Sequence, residues 1–414
     1  MNMFWINENL SGLGIKSASS QVMNAALDRW NTMYKSGSAL NLASAVASET
    51  ARLVTLEMKC SLSGSERAYF LNEQLTGAKP FLRNSVECAC ALGGVVLKPY
   101  VSNGGIEIDF VRPENFVPTE FDTSGNLTGA VFLDRRYIGG KVFTRVEQHT
   151  HEGGGYTVKN DAFVSDSDIV LGRRIPLTAV ESWADIEPSV HMESIASPLF
   201  AYFKMPMANT LDEASPLGIS VFAKAEKLIA DANEQYERLL WEFESGKRVV
   251  MADETAFRLS ENGERELPDD RLYVALNQEE LFKEWSPTLR EDGFIHGLNE
   301  ILRRIEFNCS LAYGTLSDVQ YSDKTAEEVR SSKQRSYSHI ADIQESLKGS
   351  LTSLCTAMDT LCDLYRLAPK GSWELAAEFD DSIVADRKRE FDEKLSLVQA
   401  GIMDREEFRG WYFG

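Results

Sequence analysis

Two long amphipathic stripes separated by a short strand-like segment constrain this chain more than any single motif does. Apolar residues recur at helical spacing through Val221, Ala225, Leu228, Ile229, Ala232, Tyr236, Leu239, Leu240 and Phe243, and again through Phe294, Ile295, Leu298, Ile301, Leu302 and Ile305. Ser215-Pro216 reads as the first start, with Ser as N-cap and Pro at the first helical position, and Gly246 reads as the end. At ~1.5 Å per residue, 217–244 predicts a rod of about 42 Å. Between the stripes, Arg248-Val249-Val250-Met251, a turn signal at Asn262-Gly263 and Leu272-Tyr273-Val274-Ala275-Leu276 predict a hairpin-bearing β module of roughly 40 residues. The pattern predicts a small module held at the end of a helical pair.

The flanking sequence has a different character on each side. Residues 20–92 read as helices, with Val22, Ala26, Leu27, Trp30 and Met33 as one stripe, until Gly93-Gly94 ends the pattern. From Val95 the period shifts towards two, and turn signals at Ser102-Asn103-Gly104, Ser124-Gly125-Asn126 and Gly153-Gly154-Gly155 separate the runs. The first half is therefore expected to be α+β, an antiparallel sheet beside a helical layer. Beyond Gly314 a polar stretch leads into the longest helical pattern, from about Thr325 to Ala368-Pro369. A straight helix of that span reaches about 63 Å, and Gly349 is the cheapest place for a bend. A strand from Trp373 to Phe379, a helix from Asp386, a C-cap at Gly401 and a capping pair of Asp404 with Glu407 complete the reading.

Charge and cysteine usage narrow the function. The 414 residues carry 43 Lys+Arg against 63 Asp+Glu, a net charge of −20, which argues against a protein that grips nucleic acid through its phosphates. Six scattered cysteines, with Cys88 and Cys90 as the only close pair, are expected to be reduced and buried. No run of ~18 apolar residues and no basic-then-apolar leader is present, so a cytoplasmic chain without a membrane anchor is expected.

No catalytic constellation is legible, and neither a catalytic residue, a metal nor a cofactor is assigned. The sequence contains no GxxxxGK[ST], GxGxxG opening a helix, GxSxG or HExxH. His149 and His151 lie two apart on a predicted strand and would face one side, which a shared metal requires. The plainer reading is a polar strand end with solvated imidazoles, with His191, His296 and His339 in separate modules. Glu279-Glu280 and Asp380-Asp381 read as solvated faces.

Several strings in this order resemble one family, the portal proteins of tailed bacteriophages. They are ALGGVVLKPYV (91–101), IEIDFVRPENFVPTEFDTSGNLTGAVF (106–132), SPLGISVF (215–222), SDKTAEEVRSS (322–332) and AGIMDREEF (400–408). Glu327 departs from the family, which often has Thr there. The resemblance implies a portal fold with an α/β wing, long stem helices, a small α/β clip and a helical C-terminal crown. Carried over, 1–215 with 325–367 would be the wing, 216–247 and 290–315 the stem helices, 248–289 the clip, 316–324 the tunnel loop and 368–414 the crown.

The same resemblance implies a non-enzymatic homo-oligomeric ring, typically of twelve subunits, at one capsid vertex of the virion and assembled in the bacterial cytoplasm. Double-stranded DNA would pass through its channel without sequence specificity, and terminase, a head–tail connector and the major capsid or scaffolding protein would be its partners. The net charge suits a conduit, because a ring of such chains repels DNA except at local basic spots. Gln320, Tyr321 and Lys324 are the channel candidates, and Leu239 and Leu302 the subunit-contact candidates. The alternatives from other classes are a metal-dependent enzyme using His149 and His151, and a monomeric helical scaffold.

Overall fold

Serine hydroxyls open the first and third helices, and a left-handed glycine closes the third. The computed structural model describes residues 9–56, 58–152, 155–246, 249–253, 272–275, 282–285, 288–318, 326–379 and 387–413. Helix α1 (Gln21–Lys35) starts where the Ser20 side chain accepts from the Met23 N–H, and α2 (Leu42–Thr55) follows. A strand, β1 (Lys59–Gly64), interrupts what the sequence pattern makes wholly helical. Helix α3 (Glu66–Leu92) is capped by Ser65 and closed by Gly93 at φ 89°.

The sheets then form largely from neighbours in sequence. Strands β2 (Gly94–Ser102) and β3 (Gly105–Val111) make a hairpin. Strands β4 (Phe116–Phe121), β5 (Leu127–Ile138), β6 (Lys141–Glu152), β7 (Gly155–Ser165) and β8 (Arg173–Ile175) make an antiparallel sheet in chain order, and β9 (Ser189–Glu193) also pairs with β7. Strand β10 (Ala201–Lys204) returns to β2 and completes a three-stranded sheet. The chain is mixed helix and sheet, the α+β class expected.

The second half contains α4 (Glu226–Ser245), β11 (Val249–Asp253), β12 (Leu272–Ala275), β13 (Phe282–Trp285) and α5 (Glu291–Asn308). Helix α6 (Ala326–Tyr365) runs unbroken through Gly349 and stops where Arg366 turns left-handed and the Leu367 N–H donates to the Cys362 carbonyl. Strand β14 (Trp373–Glu378), α7 (Arg387–Gln399) and α8 (Arg405–Phe413) follow, with left-handed Gly401 between the last two.

Three expectations are corrected. The first long helix begins at Glu226, nine residues after its predicted start, because 215–222 is drawn against the end of α3 as irregular chain. There the Val221 N–H donates to the Cys90 carbonyl at 2.9 Å, and Gly218 crosses Gly93 so closely that a Cβ on either would collide with the other's carbonyl oxygen. Ile219, Val221 and Phe222 are buried there instead of forming a helical stripe. Second, β11 pairs with β12 in parallel and with β13 antiparallel. Parallel strands are not the arms of a two-residue hairpin, so the expected hairpin is not how these two strands are related; its turn signal, Asn262-Gly263, lies outside the described residues. Third, 59–64, expected within a helical run, is the strand β1, and it pairs with the expected strand at 373–378.

One core unites most of the described helices. Trp30, Val46, Leu71, Val95, Phe203, Phe222, Ile229, Ile305, Ile343 and Leu354 belong to it, so the roots of α4 and α5 are continuous with the first half, and α6 lies across β2 and β10. A second core, with Leu10, Val117, Val131, Val146 and Phe163, fills one face of the larger sheet. The opposite face carries two smaller apolar clusters, around Phe132 and around Trp183, together with the charged residues Arg145 and Glu147.

Candidate functional site

Helices α4 and α5 form an antiparallel pair clasped at one end. Glu242 contacts Arg290, while Gln235 comes level with Gly297. Glu242 is buried at 5% exposure and receives the Arg290 guanidinium at 2.7 Å and its backbone N–H at 3.1 Å. That hydrogen bond from Arg290 holds the carboxyl below its usual range. The clasp sits where the chain leaves α4 for β11 and returns to α5. It fixes the two stalks of the β module together.

The other end of α5 anchors the segment leading to α6. Glu306 is fully buried, and its carboxylate accepts the Leu316 N–H at 2.6 Å, the Ser317 N–H at 2.8 Å and the Ser317 hydroxyl at 2.9 Å. Two turns earlier, Asn299 accepts from the Asp318 N–H at 2.7 Å and donates to its carbonyl at 3.2 Å. Residues 316–318 are thereby bolted to α5. Gln320, Tyr321 and Lys324 lie just beyond, outside the described residues. The sequence marks Glu306 only as an acid next to Ile305 of the apolar stripe, which does not reveal its partners.

Leu239 and Leu302 face inward rather than outward. Leu239 is 7% exposed within the single chain, and Leu302 packs against the main core. The apolar residues left on the surface are Leu240, Trp241 and Phe243 on α4 and Phe307 on α5, with Trp241 62% exposed. The Arg335 guanidinium from α6 lies 4.4 Å from the centre of the Phe307 ring. Burial also governs the six cysteines, all of them free and buried, with Cys88, Cys309 and Cys355 thiols pushed up to about 12.

The charged sheet face holds the second cluster, at the base of a cleft of about 950 Å³. Arg145, Glu147 and His149 alternate along β6, so all three side chains share one face. Glu147 accepts Lys98 Nζ from β2 at 2.9 Å, Arg145 Nη1 at 2.8 Å and His149 Nε2 at 2.7 Å. Burial alone would raise its carboxyl, but Lys98, the His149 hydrogen bond and Arg145 hold it well below the usual range. Burial pushes His149 down despite Glu147, so the imidazole is neutral and its proton sits on Nε2. Nδ1 then accepts from the Tyr156 hydroxyl at 2.8 Å, whose oxygen accepts the Leu199 N–H at 3.2 Å.

This replaces the expected solvated pair of imidazoles. Both nitrogens of His149 are engaged, and His151 Nε2 instead meets the Ile195 carbonyl at 2.7 Å. His191 belongs to the same sheet, on β9, but its register with Thr157 and Thr150 puts it on the opposite face. No group of three His, Cys, Asp or Glu with metal-holding geometry occurs among the described residues. Glu279-Glu280 and Asp380-Asp381 fall outside them. No described helix is long and apolar enough to cross a membrane. No family model matches the sequence, and no curated protein matches it either.

Proposed function

We propose that the chain is a portal-type subunit that assembles into a ring, typically of twelve copies, at a capsid vertex. DNA passes through the central channel, and terminase and then a head–tail connector dock on the clip. The observation that carries this reading is the clasped α4–α5 pair, which is rooted in the main core at one end and sends β11–β13 out from the other. A second support is the pinning of 316–318, the described stub of the tunnel loop, to the stem helix by Glu306 and Asn299.

Within this reading, the ring contact falls on other residues of the same helix. A heterologous contact needs side chains left on the surface, and Leu240, Trp241 and Phe243 meet that condition where Leu239 does not. The chain acts without a catalytic residue in this role, and its negative charge keeps the duplex sliding. Native mass spectrometry and negative-stain imaging of the purified chain test the reading. Closed rings with a central hole are expected; a monomer at every concentration tried would overturn it.

A further inference from the structure

Among the described residues no further strand pairs with β14, and the register says which of its backbone groups face away from β1. The Leu62 N–H on β1 donates to Asn72 Oδ1 of α3 at 2.9 Å, not to β14. Leu62 and Leu375 are therefore a non-hydrogen-bonded pair, and by alternation so are Cys60 with Ala377 and Gly64 with Trp373. The N–H and C=O groups of Trp373, Leu375 and Ala377 point away from β1. No described residue hydrogen-bonds to them, and no further described strand joins the sheet. On the far edge of β1 Asn72 already takes the Leu62 N–H, so among the described residues β14 is the side left for addition.

The side chains define what could be added. Trp373 and Leu375 are half-buried against the main core, so a new strand's inward residues would extend an apolar surface. Glu374, Ala376 and Glu378 point the other way and are exposed. The strand already present on the opposite side supplies Lys59 across from Glu378. A partner strand that matches this edge alternates apolar with cationic residues.

We propose that the β14 edge is a strand-addition site for an extended segment of a partner protein in which apolar residues alternate with Lys or Arg. Backbone hydrogen bonds to Trp373, Leu375 and Ala377 supply the attachment, and Glu374 and Glu378 select the sign of the charge. The site is independent of ring assembly.

The probe is a seven-residue peptide alternating lysine and valine, added to the full chain and followed by fluorescence anisotropy and residue-level hydrogen exchange. Binding is expected to slow exchange at Leu375 and Ala377 by about 10-fold or more, while a peptide N-methylated at alternate residues does not bind. The double variant Glu374→Lys, Glu378→Lys should lose this peptide and gain one alternating glutamate and valine. Absence of binding, protection confined to other residues, or equal binding of the N-methylated peptide overturns the proposal. So does concentration-dependent protection of β14 without peptide, which would make a second copy the occupant. The N-methylated control remains decisive if the double variant does not fold.

Discussion

His149 and Glu147 stand two residues apart on β6 with Nε2 and Oε1 at 2.7 Å, and burial keeps the imidazole neutral beside a charged carboxylate. The unfolded chain binds a proton at this histidine near pH 6.5, whereas the folded chain resists it. The stability this group contributes is therefore complete above about pH 6.5 and is lost as pH falls below that value. Urea midpoints measured at steps from pH 7.5 to pH 5.5 should fall more steeply for the native chain than for His149→Gln. Parallel curves would mean that His149 does not titrate as a buried neutral base.

Arg67 is 1% exposed and ties the start of α3 to the end of α6. Its guanidinium reaches Asp359 at 2.6 Å and Asp363 at 2.8 Å, and it donates to the carbonyls of Asp359, Ala368 and Pro369. Arg67→Ala should cost about 2–4 kcal/mol in denaturant unfolding, since several charge-assisted hydrogen bonds are lost together. Lysine cannot present the same planar fork, so Arg67→Lys should recover little of the loss. Full recovery by lysine would show that charge alone matters there.

Replacing Glu306 separates local order from global stability. Hydrogen bonds to a charged acceptor contribute ~1.5–3 kcal/mol each. Glu306→Ala removes three of them, so exchange of the Leu316 and Ser317 amides should speed up by at least about 10-fold. The peptide spanning 311–318 in exchange mass spectrometry reports this directly. Unchanged exchange would mean that 316–318 is held by something other than α5.

The two faces of α4 should respond oppositely to charge. Leu239→Asp buries a carboxylate and should destabilise the chain itself by about 3 kcal/mol or more. Trp241→Glu lies on the surface and should leave chain stability within ~0.5 kcal/mol while abolishing rings. Intact rings from Trp241→Glu would exclude this face as the subunit contact.

What the sequence made legible was local. Gly93 closes α3, Gly401 closes α7 and Asp404 precedes α8, because a cap acts on residues within one turn, whereas the Ser65 cap that opens α3 was not read. The alternating β5, β6 and β7 runs were visible because each pairs with its neighbour. β1 was invisible because Lys-Cys-Ser-Leu-Ser-Gly is short and polar and becomes a strand only against 373–378. The apolar run Leu217 to Phe222 mimicked a helix start because burial by distant Gly93 and Cys90 leaves no trace in its own spacing. In the candidate site, the helical pair could be read. The roles of Glu242, Glu306 and Glu147 could not, since each depends on partners brought in by the fold.

The pairing of β1 with β14 also sets a clock. About 300 residues separate the two strands, and at ~5–20 residues per second a ribosome needs roughly 15–60 s to deliver the second after the first. Throughout that interval β1 has emerged without the strand it pairs with, and Arg67 waits for Asp359 and Asp363. The first half of this chain is thus synthesised well before the partners that β1 and Arg67 meet in the folded protein.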